Sequence, residues 1–151
     1  MKLGRSASTL YFTDRFMQRK NNLFAAENAN EGILHLLFYL ALFISKKTPS
    51  FFAIDNIETS LNPHLCREAS KILSKLAIEK NKQVLVTTHN PAILDGLDLT
   101  DDRVRLFEVY RNDHGHTKTR RIQFKNGIQS KKYKLSEMWM NGLLGGISKN
   151  F

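Results

Sequence analysis

The chain has 151 residues, 42% of them apolar and 10% aromatic, the size and composition of one domain with a core of ordinary depth, which excludes disorder as the default. Lys and Arg outnumber Asp and Glu by 23 to 14, and the excess is +4 over residues 1–50, −1 over 51–100 and +6 over 101–151. Such a basic tail is either a solvated face or a surface for nucleic acid, whose phosphates release counterions when neutralised.

Residues 1–22 are polar, with scattered aromatics and the basic cluster Gln18–Lys20, and read as irregular. They contain no apolar stretch of the kind a signal peptide needs, so the cytoplasm is the expected location. From Asn30 the pattern changes to a helix running to about Ser45, with Asn30 as its cap and Glu31 near the positive end of its dipole. This helix is apolar nearly all round and is expected to be buried on most sides. Its apolar run, Ile33–Ile44, is twelve residues long and contains His35, short of the ~20 that span a bilayer, so no membrane is expected.

Lys46–Ser50 reads as a turn, and Phe51–Ile54 as a short strand of the buried parallel type. Asn62 caps and Pro63 opens a helix to about Lys80, with Leu65, Ala69, Ile72, Leu73 and Leu76 on its apolar face. That helix contains Cys66, the single cysteine, which has no partner for a disulfide, points to a reducing compartment and excludes a cysteine metal site. Asn81 and Lys82 end it, and Gln83–Thr87 forms a second buried strand, parallel to the first through a right-handed crossover. Asn90-Pro91 starts a short helix stopped by Gly96. Val104–Tyr110 and Thr117–Phe124 alternate around Asn112-Asp113-His114-Gly115 as a hairpin. An amphipathic segment, Leu135–Leu144, then runs into Gly145-Gly146. His114 and His116 flank the hairpin turn without further ligands and read as exposed turn residues.

The two strands deliver Asp55-Asn56 and Thr87-Thr88-His89 to one edge of a sheet. In open α/β sheets the carboxyl ends of the strands are where phosphate-bearing ligands bind. Asn30-Glu31-Gly32 at a helix start, Asp55 after an apolar strand, Ser60-Leu61-Asn62 soon after and His89 after the next strand fall in an order that resembles a known one. It is that of the carboxyl-terminal lobe of ABC-type ATPase heads, in the branch holding the structural-maintenance-of-chromosomes, RecF-like and OLD-like ATPases and the AAA-family ATPases of bacterial antiphage systems. The likeness covers residues 23–124, with 1–22 as an irregular lead-in and 125–151 as a basic extension with a short helix.

The resemblance implies an α/β, P-loop NTPase-like lobe of parallel strands flanked by helices, with a hairpin and a last helix. It implies ATP and magnesium as cofactors. Asp55 matches the Walker B aspartate that holds magnesium, and His89 the switch histidine at the γ-phosphate. Asn30 and Gly32 match the signature motif that reaches ATP on the opposite protomer, which implies a head-to-tail homodimer. Ser60 and Asn62 lie in the D-loop match, Thr59–Pro63.

Asn56 stands where the family has the glutamate that orients the attacking water. An amide cannot accept a proton, so turnover is slow unless Glu58 substitutes.

The phosphate loop GxxxxGK[ST] does not occur in the sequence, which therefore reads as half a site. The missing amino-terminal lobe is expected on the same chain upstream or on another chain. DNA or an effector nuclease is the further partner that the resemblance suggests, with repair or antiphage defence as the process. The rival reading is a non-catalytic basic module that binds nucleic acid or an effector through Arg120, Arg121, Lys131, Lys132 and Lys134.

Overall fold

A strand lies within the stretch that reads as irregular: β1 (Tyr11–Thr13) pairs antiparallel with β2 (Leu23–Ala25), Tyr11 opposite Ala25. Three residues are too few to display a period, which is why the sequence conceals it. The computed structural model describes residues 10–13, 23–123 and 134–144.

After a 3-10 turn at Ala26–Asn28 comes α1 (Glu31–Ile44), started by Asn30, whose Oδ1 accepts from the amide of Gly32 at 2.9 Å. Gly32, Tyr39 and Phe43 are buried, and Leu36, Leu40 and Leu42 pack beside them. The expected burial on most sides is not found. Phe38 is 60% exposed, and Ile33, Leu37 and Ile44 are exposed as well. The helix packs along one stripe, and no described residue covers the other side.

Lys82 fixes the far end of α1, its Nζ donating to the carbonyls of Ser45 at 3.0 Å and Thr48 at 3.2 Å and to the Thr48 hydroxyl. A cation at the negative end of a helix is favourably placed.

The centre is a parallel pair, β3 (Phe51–Ile54) and β4 (Gln83–Val86), joined through α2 (Pro63–Glu79) and registered Phe51 to Gln83 through Ile54 to Val86. Phe52, Ile54 and Val84 face the core with α1 and α2, and Phe43 meets Phe52 edge-on at 5.3 Å. Burying a phenylalanine of this kind contributes about 2–3 kcal/mol. The other face, with Phe51, Ala53 and Leu85, is exposed, so the expectation of fully buried strands is corrected. Both helices pack on the same side of the sheet.

On α2 the buried residues are Cys66, Ala69, Ser70 and Leu73, with Leu65 and Leu76 partly covered. Ile72 belongs outside that stripe and is exposed, since a helix turns ~100° between it and Leu73. Asn62 caps α2 from the front through Leu65, and Asn81 ends it beyond Lys80 with a φ of 52°.

The short helix α3 (Pro91–Leu94) is capped by Asn90. The hairpin β5 (Leu106–Arg111) and β6 (Thr117–Ile122) closes where expected, through Gly115 at a φ of 76°. The last helix, α4 (Leu135–Met140), is shorter than the amphipathic segment because the chain turns at Asn141 and Gly142. Leu135 and Leu144 join Leu94 in a second core, lined by Leu106, Ile122 and Trp139. Asp95 anchors α4 by accepting from the amide and hydroxyl of Ser136, at 2.9 and 2.8 Å. Gly145 and Gly146 lie outside the described residues. No helix among the described residues is long and apolar enough to cross a membrane.

Candidate functional site

The parallel ladder continues past the strands: the amide of Thr87 donates to the carbonyl of Ile54 at 3.0 Å, and that of Ile57 to the carbonyl of Thr87 at 3.2 Å. Asp55 and His89 therefore emerge at the same end of the sheet, both exposed. The Thr87 hydroxyl donates to Oδ1 of Asp55 and accepts from the amide of Asn56 at 3.0 Å. Asn56 has a φ of 49°, a left-handed conformation that Asn adopts more readily than most residues.

Glu58 bridges the two loops, its Oε1 accepting from the amide of His89 at 2.8 Å while Oε2 is shut off from solvent and has no hydrogen-bond partner among the described residues. Burial pushes the Glu58 carboxyl up. The His89 amide, the Thr88 hydroxyl, its own backbone amide and the His89 ring outweigh that and hold it below its ordinary value. Its charge is felt in the core. Burial first, and Glu58 second, raise the Tyr39 hydroxyl and the Cys66 thiol above their usual ranges.

The start of α1 lies against the β3–α2 loop. A Cβ on Gly32 would sit 2.5 Å from the Ser60 carbonyl oxygen, and Nδ1 of His35 is 3.0 Å from the carbonyl of Thr59. Ser60 has a φ of 61°. Of the eight candidates, Asp55, Asn56, Glu58 and His89 are thus joined across the strand ends, directly or through Thr87, and Gly32 meets Ser60. Asn30 and Asn62 each use the side-chain oxygen on their own helix start, so the Gly32 amide is already occupied.

Thr87 has no separate role in the sequence reading, although it sits in the polar cluster that drew attention to His89. A hydroxyl at a strand end, directly opposite an aspartate in the parallel register, is the signal that finds it.

The donor chemistry at Asp55 fits magnesium: an exposed carboxylate at a strand end with a hydroxyl beside it, for an ion that takes few protein oxygens and keeps water and phosphate. Among the described residues no group of three or more His, Cys, Asp or Glu could cage a metal by itself. His114 and His116 stand 6.4 Å apart between ring centroids, on exposed turn positions.

The basic hairpin is less free than its composition suggests. Arg120 pairs with Glu108 at 2.6 Å, and Arg121 pairs with Asp102. Lys131 and Lys132 lie outside the described residues.

A solved chain from work on the structural biochemistry of ATP-driven dimerization and DNA-stimulated activation of SMC ATPases is similar at 18% identity and a TM-score of 0.49. The match covers 68% of this chain and 59% of that one, so this chain spans less than two thirds of its length. No curated protein matches. The family described as "AAA domain, putative AbiEii toxin, Type IV TA system" matches residues 15–95, a span that holds α1, the two parallel strands, their polar ends and the helix α2 between them. By that match the chain belongs to this AAA-domain family and is a portion of an ATPase domain.

Proposed function

We propose that the chain is the carboxyl-terminal lobe, over residues 23–124, of an ABC-type ATPase head that binds ATP with magnesium. The observation that carries this reading is the joining of Asp55 to the Thr87–His89 loop at the carboxyl ends of two parallel strands, where phosphate ligands bind in such sheets. Asp55 holds magnesium, which when bound offsets charge on the phosphates. His89 contacts the γ-phosphate. Asn30 and Gly32 reach the nucleotide of a second copy in a head-to-tail homodimer, with Ser60 and Asn62 on the loop that crosses between copies.

The amino-terminal lobe with the phosphate loop, from the same chain or another, completes the site. The exposed face of Phe51, Ala53 and Leu85 and the outer side of α1 are apolar surfaces that such a lobe would cover. Asn56 makes turnover slow, because its amide orients a water without taking the proton. The process is DNA repair or antiphage defence, with DNA or an effector nuclease as partner, and the toxin–antitoxin description of the family supports defence. The rival reading, a purely nucleic-acid-binding module, is weaker because Arg120 and Arg121 are engaged in ion pairs.

Calorimetry with ATP and magnesium, on this chain together with its phosphate-loop lobe, tests the proposal. Asp55→Ala and His89→Ala each weaken binding by about tenfold or more. Indifference to both, with salt-sensitive DNA binding retained, would replace the nucleotide site by the nucleic-acid module.

A further inference from the structure

Glu58 has a geometry that the loss of the usual glutamate does not explain. One carboxylate oxygen is on the His89 amide at 2.8 Å, and the other is closed from solvent. A water poised for attack would need an oxygen turned to the open end of the sheet. The loop that carries Glu58 is itself held: Leu61 donates to the Glu58 carbonyl at 2.9 Å, Thr59 bonds twice to Asn56, and the Thr59 and Ser60 carbonyls touch His35 and Gly32 at the start of α1.

We propose that Glu58 is a positioning residue for His89, its carboxylate holding the backbone of the β4–α3 loop and tying it, through Thr59 and Ser60, to the start of α1. This rests on the nucleotide-site reading and deepens it. In a head-to-tail dimer the start of α1 serves one nucleotide and His89 the other, so this bridge links the two sites within one protomer. The depressed carboxyl accords with the role, since a weakly basic carboxylate is a poor proton acceptor and a good anchor for an amide.

The test reads amide hydrogen exchange at His89 in the full chain without nucleotide. Glu58→Ala is expected to speed exchange at the His89 amide by about tenfold, and Glu58→Gln, which keeps an oxygen acceptor, to stay within about twofold of the parent. The amides of Thr87 and Ile57, held by the ladder, remain unchanged in both. Should Glu58→Ala fail to fold, Glu58→Asp replaces it, the shorter side chain withdrawing the oxygen while keeping the charge.

Unaltered protection at His89 in the alanine or aspartate variant would overturn the bridge. So would ATP turnover that falls as far in Glu58→Gln as in Glu58→Ala while the His89 amide stays protected, since Glu58 would then be the proton acceptor. Failure of the nucleotide reading shows separately, as indifference of ATP binding to Asp55→Ala.

Discussion

The hydroxyl of Thr87 donates to the carboxylate of Asp55 across the ends of two parallel strands, and the same oxygen accepts from the amide of Asn56 at 3.0 Å. One side chain thus sets both the aspartate and the backbone that follows it. Thr87→Val keeps the shape and removes both bonds, and is expected to lower stability by about 1 kcal/mol and to weaken magnesium-ATP binding in the assembled site. Thr87→Ser restores both. Denaturant unfolding and calorimetry measure the two effects, and a valine variant with unchanged ATP affinity would separate Thr87 from the site.

Two glycines are fixed by close approach. At Gly32 a Cβ would stand 2.5 Å from the Ser60 carbonyl oxygen, and at Gly96 it would stand 1.9 Å from the Ser70 hydroxyl and 2.2 Å from the Arg67 carbonyl. Each alanine variant forces backbone apart and is expected to cost about 1–3 kcal/mol in chemical denaturation. The two differ in reach. Gly96→Ala leaves the strand ends untouched, whereas Gly32→Ala displaces the loop that leads to Glu58 and His89.

Asn56 answers to two demands, one conformational and one chemical. Its φ of 49° favours Asn over Glu, so Asn56→Glu is expected to destabilise the fold by about 1 kcal/mol. In the assembled ATPase the same change raises turnover by about 100-fold, because a carboxylate now accepts the proton of the attacking water. Steady-state ATP hydrolysis decides it, and a rate unchanged or lowered would show that Asn56 does not occupy the water-orienting position.

Asn62 caps α2 by accepting from the amide of Leu65 at 2.9 Å. Replacement by Ala is expected to cost about 1 kcal/mol, and replacement by Asp to cost almost nothing. Thermal unfolding of the two variants separates the cap from any role of Asn62 at a dimer interface, since only the second role shows in the oligomeric state with ATP.

The carboxyl of Asp101 is pushed down to about 2, chiefly by the hydrogen bond from the Arg103 side chain, with the Arg103 amide and charge adding to it. The folded value lies below the ordinary one. Its small contribution to stability is therefore complete above pH ~4 and is lost as pH falls through about 2. A carboxyl NMR titration is expected to show a midpoint near 2, which Arg103→Gln returns toward the ordinary range. Stability at neutral pH should hardly change, because the pair is exposed.

Local chemistry carries much of this fold into view. Asn30, Asn62 and Asn90 each precede a helix, and each side chain accepts from an amide of the first turn, so the starts of α1, α2 and α3 follow from side chains next to them in sequence. The parallel pair, the hairpin turn and the placing of Asp55 and His89 at one sheet end follow likewise from short apolar runs broken by polar clusters. Long-range partners were not legible. Three-residue β1 and β2 have no period of their own, and the bare sides of α1 and the β3–β4 sheet look in sequence like buried ones, because hydrophobicity specifies that a surface needs cover but not whether the cover is present.

Residue types and their order determined that this chain presents an acid and a histidine after neighbouring strands. Tertiary structure alone decided what holds them: Thr87 on Asp55, Glu58 on the His89 backbone, and Arg120 and Arg121 drawn into ion pairs. The Thr87–Asp55 and Glu58–His89 bonds join residues 32 and 31 positions apart, and their geometry is fixed by the register of the parallel strands and by helix packing, which no local pattern encodes.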